Sequence, residues 1–202
     1  MKAVRPAIII VATLLAGCAS SGSETATQDS GWNPFSNISW TAMAPWNWFG
    51  SSLEVTEQGV GGLNGTTPLT RQAIDDGLKG NYKLRQGMRG QNGQVISFWQ
   101  ALDEGQVKLV IYGQSSVERI DVMDSAIASA SGERIGSRFS DTFSKAFNHC
   151  QPAHGNRDVE CKAPDSQHIL YLYSGEWHGP EGLMPSDDTL KNWTLSKIVW
   201  QR

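Results

Sequence analysis

From Tyr82 to Gly113 the chain reads "YKLRQGMRGQNGQVISFWQALDEGQVKLVIYG". Three strand-like runs, 82–88, 95–102 and 107–113, are separated only by "RGQNG" with Gln94 and by "DEGQ". A crossover between parallel strands needs a dozen or more residues, whereas intervals this short and glycine-bearing close hairpins. The three runs must therefore be neighbours in an antiparallel sheet, and any fold for this chain has to be built around that meander.

Further runs extend the pattern. "LEVTEQGV" (53–60) alternates and predicts a strand, as do "SVERIDVMD" (116–124), "HILYLYSGEW" (168–177) and "LSKIVW" (195–200). "TPLTRQAIDDGLKG" predicts a helix with Thr67 as N-cap and Pro68 in the first position. Leu69, Ala73, Ile74 and Leu78 would lie on one side of it, and Gly80 would be its C-cap. "SRFSDTFSKAF" predicts a second helix, with Ser137 as N-cap, Phe139, Phe143 and Phe147 on one stripe, and Asp141 and Lys145 paired outside. Two short helices among about seven strands indicate an α+β class with a largely antiparallel sheet. Both halves read as strand, helix, then two or three strands, which admits two β-α-β-β(β) half-repeats.

The first fifty residues have a different character. Lys2 and Arg5 precede an apolar run from Ala7 to Ala16, interrupted only by Thr13. About ten residues is half of what a helix needs to span hydrocarbon, and the flanks match an export signal. Leu15-Ala16-Gly17-Cys18 resembles the lipobox of bacterial lipoproteins. That resemblance implies cleavage after Gly17, a diacylglyceryl group on the Cys18 thiol and an acylated amino terminus. Ala19 and Ser20 follow where such proteins carry a residue consistent with the outer membrane. Several acyl chains on one residue would anchor the protein stably, since each buried methylene contributes about 0.8 kcal/mol. An ordinary signal peptide with an incidental cysteine is the alternative.

The expected organisation is a signal peptide at 1–17, a Ser/Thr/Gly-rich tether at 18–31, an aromatic arm at 32–50 and a globular domain at 51–202. A flexible tether of about 13 residues has an r.m.s. reach of roughly 20 Å. The arm, "WNPFSNISWTAMAPWNWFG", holds Trp32, Phe35, Trp40, Trp46, Trp48 and Phe49 in a chain with 8 Trp, 4 Tyr and 6 Phe. Such a concentration needs a cover: the domain itself, the membrane interface or a partner. Trp32, Trp40, Trp46, Trp48 and Phe49 are thus a candidate interaction surface.

Loss of Lys2 and Arg5 takes 17 basic residues to 15 against 20 acids, a net charge of −5. That balance disfavours nucleic acid as the principal partner, although Lys83, Arg85 and Arg89 form a local basic spot. Beyond the lipobox Cys18, Cys150 and Cys161 remain in the mature chain, and an isolated pair in an exported protein reads as a disulfide. The alternative is a metal site using His149, Cys150, His154 and Cys161, whose spacing fits no familiar zinc pattern.

With the lipobox, "APWNWFGSSLEVTEQGVGGLNGTTPLT" (44–70) and the closing "LKNWTLSKIVWQR" resemble the RpoE (sigma-E)-regulated lipoprotein family of enterobacteria. The resemblance runs through the whole mature chain. It implies an outer-membrane lipoprotein of the envelope-stress regulon, carries over Cys18 as lipid attachment site and brings no enzymatic activity.

No nucleophile elbow, S-x-x-K or H-E-x-x-H motif is present, and "GVGGLNG" (59–65) lacks a phosphate-loop lysine and reads as a connecting loop. His178 with Glu176 and Glu181 is the best acid/base or metal cluster on paper, in a Gly/Pro-rich loop whose polar residues are ordinarily solvated. Three function classes follow. The first is a non-catalytic accessory or binding module with no metal and no cofactor, anchored at the outer membrane and meeting an envelope protein or glycan. The second is a carrier or sensor of an apolar or glycan ligand, for which a pocket lined by Trp99, Tyr171 or Trp177 would speak. The third is a hydrolase without a recognisable motif, which requires convergent Ser, His and acid groups.

Overall fold

A computed structural model of the chain describes residues 53–91, 93–153, 157–180 and 182–202. Cys18 and the expected signal peptide, tether and aromatic arm lie outside the described residues.

The meander foreseen in the sequence is present and longer than foreseen. Strands β4 (Lys83–Gln91), β5 (Gln94–Asp103), β6 (Gln106–Gly113) and β7 (Val117–Val122) pair antiparallel in that order. Glu104 and Gly105, both at positive φ, make the two-residue turn that the twist of a hairpin favours. A second meander, β9 (Cys150–Pro152), β10 (Val159–Lys162), β11 (Ile169–Ser174) and β12 (Thr194–Gln201), joins the first through β7 and β12. The result is one eight-stranded sheet in the order β4-β5-β6-β7-β12-β11-β10-β9.

A four-stranded sheet forms from β1 (Glu54–Thr56), β2 (Gly59–Val60), β3 (Leu63–Asn64) and β8 (Ala128–Ser129), with β8 parallel to β1. Three short helices complete the described residues: α1 (Arg71–Gly77), α2 (Phe139–Thr142) and α3 (Asp187–Leu190). The class is α+β, a single small domain that is mainly antiparallel β. It has three helices where the sequence suggested two. The large sheet is built from two four-stranded meanders, and β7, which the sequence pattern makes the opening strand of a second β-α-β-β(β) half, instead closes the first.

Alternation sets the two faces of the large sheet. Trp99, Leu109, Ile111, Ile120, Val122, Ile198, Trp200 and Tyr171 point to one side and join the buried core with Leu53, Val55, Ile74 and Phe139. Burying each such side chain contributes on the order of 1.5–3 kcal/mol. The opposite, outer face carries the intervening residues.

Local expectations fail where tertiary pairing overrides them. The run 53–60 is not one strand: it doubles back after Thr56, pairing Val55 with Val60 and Thr56 with Gly59. Gly59 sits at φ +155°, and a Cβ there would lie 1.7 Å from the Leu63 carbonyl oxygen, so only glycine permits the fold-back. "GVGGLNG" is accordingly a tight hairpin and not a plain loop. Helix α1 starts three residues late, with Thr70 accepting from the Ala73 N–H at 3.3 Å. Thr67 and Leu69 instead exchange backbone hydrogen bonds with Val117 and Ser115. The chain leaves α1 at Leu78, with both Lys79 and Gly80 at positive φ.

The predicted helix 137–147 shrinks to the single turn α2, with Arg138 rather than Ser137 as N-cap. Phe143 is extended and packs with Phe139 against the Tyr173 ring, centroids 6.2 and 5.2 Å away. Beyond it the Ala146 N–H donates to Asp187 at 2.9 Å, and Phe147 is left 79% exposed.

The two edges of the large sheet are protected differently. Edge strand β9 is three residues long, ends in Pro152, and is joined to β10 by the Cys150–Cys161 disulfide between directly paired positions. Edge strand β4 is nine residues long and carries Lys83, Arg85 and Arg89 with no acid, a charge pattern that discourages strand-to-strand association. Closing the short loop between the cysteines stabilises the fold by about 3 kcal/mol on a chain-entropy basis. Replacing Cys161 with Ala should cost about that much in urea unfolding, and reduction of the wild type should match it. Unchanged stability together with free thiols in protein taken from the periplasm would contradict this.

Candidate functional site

The residues singled out for chemistry do not converge. The bridge takes both sulfurs, so Cys150 and Cys161 are not free thiolates for a metal; His149 is exposed beside the Phe143 ring, and His154 lies outside the described residues. Glu176 and His178 are exposed in the loop after β11, and Glu181 is outside the described residues. Trp99 is buried in the core with no partner for its indole N–H. Trp177 packs partly against the core and donates to the Pro180 carbonyl at 3.4 Å.

One constellation does bring a serine, a histidine and an acid together. Glu57, in the β1–β2 turn, accepts from the Ser166 hydroxyl and from the Gln167 N–H at 3.1 Å. Its backbone carbonyl accepts from Trp200 Nε1 at 3.0 Å. Ser166 Oγ also accepts from the N–H groups of His168 and Ile169, at 3.2 and 2.8 Å. A hydroxyl has one donor and two acceptor sites, and here all are used. The His168 ring faces away, its Nδ1 2.8 Å from the Gln201 carbonyl oxygen. With its proton on a carboxylate and no imidazole against it, Ser166 is a clasp between the two sheets and not an activated nucleophile.

A niche of about 290 Å³ adjoins the clasp. Tyr171 lines it, as the sequence suggested for a ligand pocket, but its hydroxyl closes a triangle with Ser129 and Ser131, each side 2.9 Å. A second hollow of about 470 Å³ lies between Phe147 and Met184–Pro185.

The outer face of the large sheet has another composition. Lys83, Arg85 and Arg89 of β4 lie on it with Arg119 of β7, Lys197 of β12 and Lys162 of β10, six cations against the acids Asp121 and Glu160. Asp121 is 3% exposed, and its two carboxylate oxygens meet Arg119 Nε at 2.7 Å and Lys197 Nζ at 3.1 Å. Glu160 accepts from Gln151 at 3.0 Å. Arg85 grips Gln100 through two donors, at 2.9 and 2.7 Å.

Among these charges sits an aromatic pair. The Phe98 ring lies over Gly87, where a Cβ would come within 2.4 Å of it, and its centroid is 5.9 Å from that of Tyr112. Arg89 stacks over Tyr112 at 4.8 Å, a cation–π contact. Burial foremost, and the Asp121 charge next, raise the Tyr112 phenol above its ordinary value against the pull of Arg89 and Arg119, so it stays a neutral donor. Val110, Leu172 and Val199 are buried on this face, apart from the main core. Reasoning from sequence found only the β4 part of the surface. The signal for it was the odd-numbered spacing of Lys83, Arg85 and Arg89, which strand alternation places on one side.

A family model described as "Protein of unknown function (DUF1131)" matches residues 37–202. The chain belongs to this family. The matched region takes in Trp40, Trp46, Trp48 and Phe49 and leaves out Cys18 and Trp32. The chain is 51% identical over 205 residues to a relative titled "Uncharacterized protein YfeY" from Escherichia coli (strain K12), with all of both chains covered. A structure titled "Crystal structure of the uncharacterized protein yfeY from Escherichia coli" is similar at 57% identity and a TM-score of 0.69, covering 74% of this chain and 99% of that one.

The clasp generates a pH dependence. The Ser166 hydroxyl, followed by the Gln167 N–H and the His168 charge, holds the Glu57 carboxyl below its ordinary value of 4.5 despite a smaller opposing effect of burial. A carboxyl whose pKa is depressed by folding contributes stability above its unfolded value and loses it as pH falls through its folded one. The stability difference between wild type and Glu57→Gln, from urea unfolding, should be largest near neutral pH and shrink below about 4.5. A difference independent of pH would contradict the clasp.

Proposed function

We propose that this chain is an outer-membrane lipoprotein facing the periplasm, and that it works by holding an envelope component on the outer face of its large sheet without turning over a substrate. The observation that carries the reading is the charge on that face: six cations to two acids, on a chain with 17 basic and 20 acidic residues. An acidic protein that gathers cations around an aromatic pair on one sheet face has a surface suited to anionic partners. Leu15-Ala16-Gly17-Cys18 supports the lipid anchor. The resemblance to sigma-E-regulated lipoproteins supports a role in envelope maintenance under stress.

A photo-crosslinking residue placed in cells at Gln100 or Gln201, both on the outer face, should give more adducts than one at Phe147 or Leu183, which are exposed elsewhere. In a Cys18→Ser background the chain should remain an unlabelled precursor and those adducts should be lost. Adducts centred on Phe147 or Leu183 would overturn the surface assignment. Robust turnover of an ester, glycoside, peptide or phosphate substrate by repurified protein would overturn the non-enzymatic reading.

A further inference from the structure

We infer that the partner of the outer sheet face is an anionic lipid surface, bound through the phosphate headgroups by the cations of β4, β7, β12 and β10. The inference rests on the proposed function, since the lipid anchor is what holds the face close to a bilayer.

The first argument is extent. From β4 to β10 the sheet spans six strand spacings of about 4.8 Å each, so the cations are spread over roughly 29 Å. A small ligand would gather its contacts in one concave place, whereas a bilayer presents charge over a broad plane. Lys83, Arg85, Arg89 and Lys162 are exposed, and Arg119 and Lys197 keep side-chain exposures of 38% and 28% while neutralising Asp121.

The second argument is the ribbon. Pairing with β6 begins at Phe98, so residues 88–91 and 94–97 of the β4–β5 hairpin pair only with each other and extend beyond the sheet. On its outer side this ribbon pairs Arg89 directly with the half-buried Ile96, whereas Met88 and Val95, each 73% exposed, alternate to the opposite side. Arg89 beside Ile96, with the half-buried rings of Phe98 and Tyr112 behind them, forms a combination favoured at a headgroup boundary.

The third argument is affinity. Each cation near an anionic surface raises binding only about fivefold, which is weak for a free protein. A tether raises the effective concentration to about the millimolar range, where weak contacts hold. A face of this strength suits an anchored protein that docks and releases.

The test uses the chain from residue 19 to 202, without acyl groups, sedimented with vesicles. It should bind vesicles of phosphatidylcholine with about one-third phosphatidylglycerol, bind pure phosphatidylcholine far less, and be released by salt. Arg85→Glu with Arg89→Glu should weaken binding about tenfold or more. Arg71→Glu with Lys145→Glu, on exposed sites away from the large sheet, should leave it unchanged. Lys162→Glu provides a second outer-face variant if the β4 pair does not keep the wild-type melting temperature.

Equal binding to neutral vesicles would overturn the inference and assign lipid contact to apolar residues. No binding to anionic vesicles, or equal loss in the control pair, would also overturn it. If vesicles fail while crosslinks from Gln100 and Gln201 reach a protein, only the lipid assignment falls. If both fail, the proposed function falls with it.

Discussion

The pairing of β7 with β12 is the contact on which the rest of the molecule depends. Two meanders, each able to form hairpin by hairpin, become one sheet only where Val122, Asp121, Ile120 and Arg119 meet Ile198, Val199, Trp200 and Gln201. The same register faces Ile120, Val122, Ile198 and Trp200 into the core and Arg119, Asp121, Lys197 and Val199 outward. A slip of β12 by one residue would turn Ile198 and Trp200 outward and bring Lys197 and Val199 against the core. The Asp121–Lys197 ion pair, 76 residues apart in the chain, fixes that register from outside as the aliphatic packing does from inside. Core and charged face are therefore one decision made at one seam.

The small sheet packs Val55, Val60 and Leu63 into the shared core, and a few polar contacts fix how it sits on this frame. Glu57 reaches Ser166, Gln167 and, through its carbonyl, Trp200, so one turn touches both the β10–β11 connection and the last strand. On the other side the hydroxyls of Ser129 and Ser131 meet Tyr171. These groups resemble catalytic components in type, but each is spent on holding a sheet to a sheet. The outer face differs in kind. Its cations outnumber the acids available to them, which is a cost to folding unless something negative approaches.

Much of the framework was legible because it is local. Alternation located β4, β5, β6, β7, β11 and β12, and intervals of six and four residues made three of them neighbours. Cysteine count and export context pointed to the Cys150–Cys161 bridge. The errors cluster where distant residues compete with local preference. Thr67-Pro68 is a good helix start in isolation, yet pairing with Ser115 and Val117 claims that segment. Phe139, Phe143 and Phe147 have helical spacing, yet the Tyr173 ring draws Phe143 into an extended backbone. Asp121 shows no sign in the sequence of being buried between two cations, since one of them arrives from the far end of the chain. The basic face was visible only as Lys83, Arg85 and Arg89, because assigning Arg119, Lys197 and Lys162 to the same side requires knowing the strand order.

The claim that this face is the working surface can be read directly by hydroxyl-radical footprinting. The chain bound to vesicles of phosphatidylcholine with about one-third phosphatidylglycerol would be compared with the same chain in solution, residue by residue. The account predicts that labelling of Phe98 and Tyr112 falls on the membrane while labelling of Phe147 and Leu183 stays constant. Protection of Phe147 and Leu183 with Phe98 and Tyr112 unchanged would contradict it.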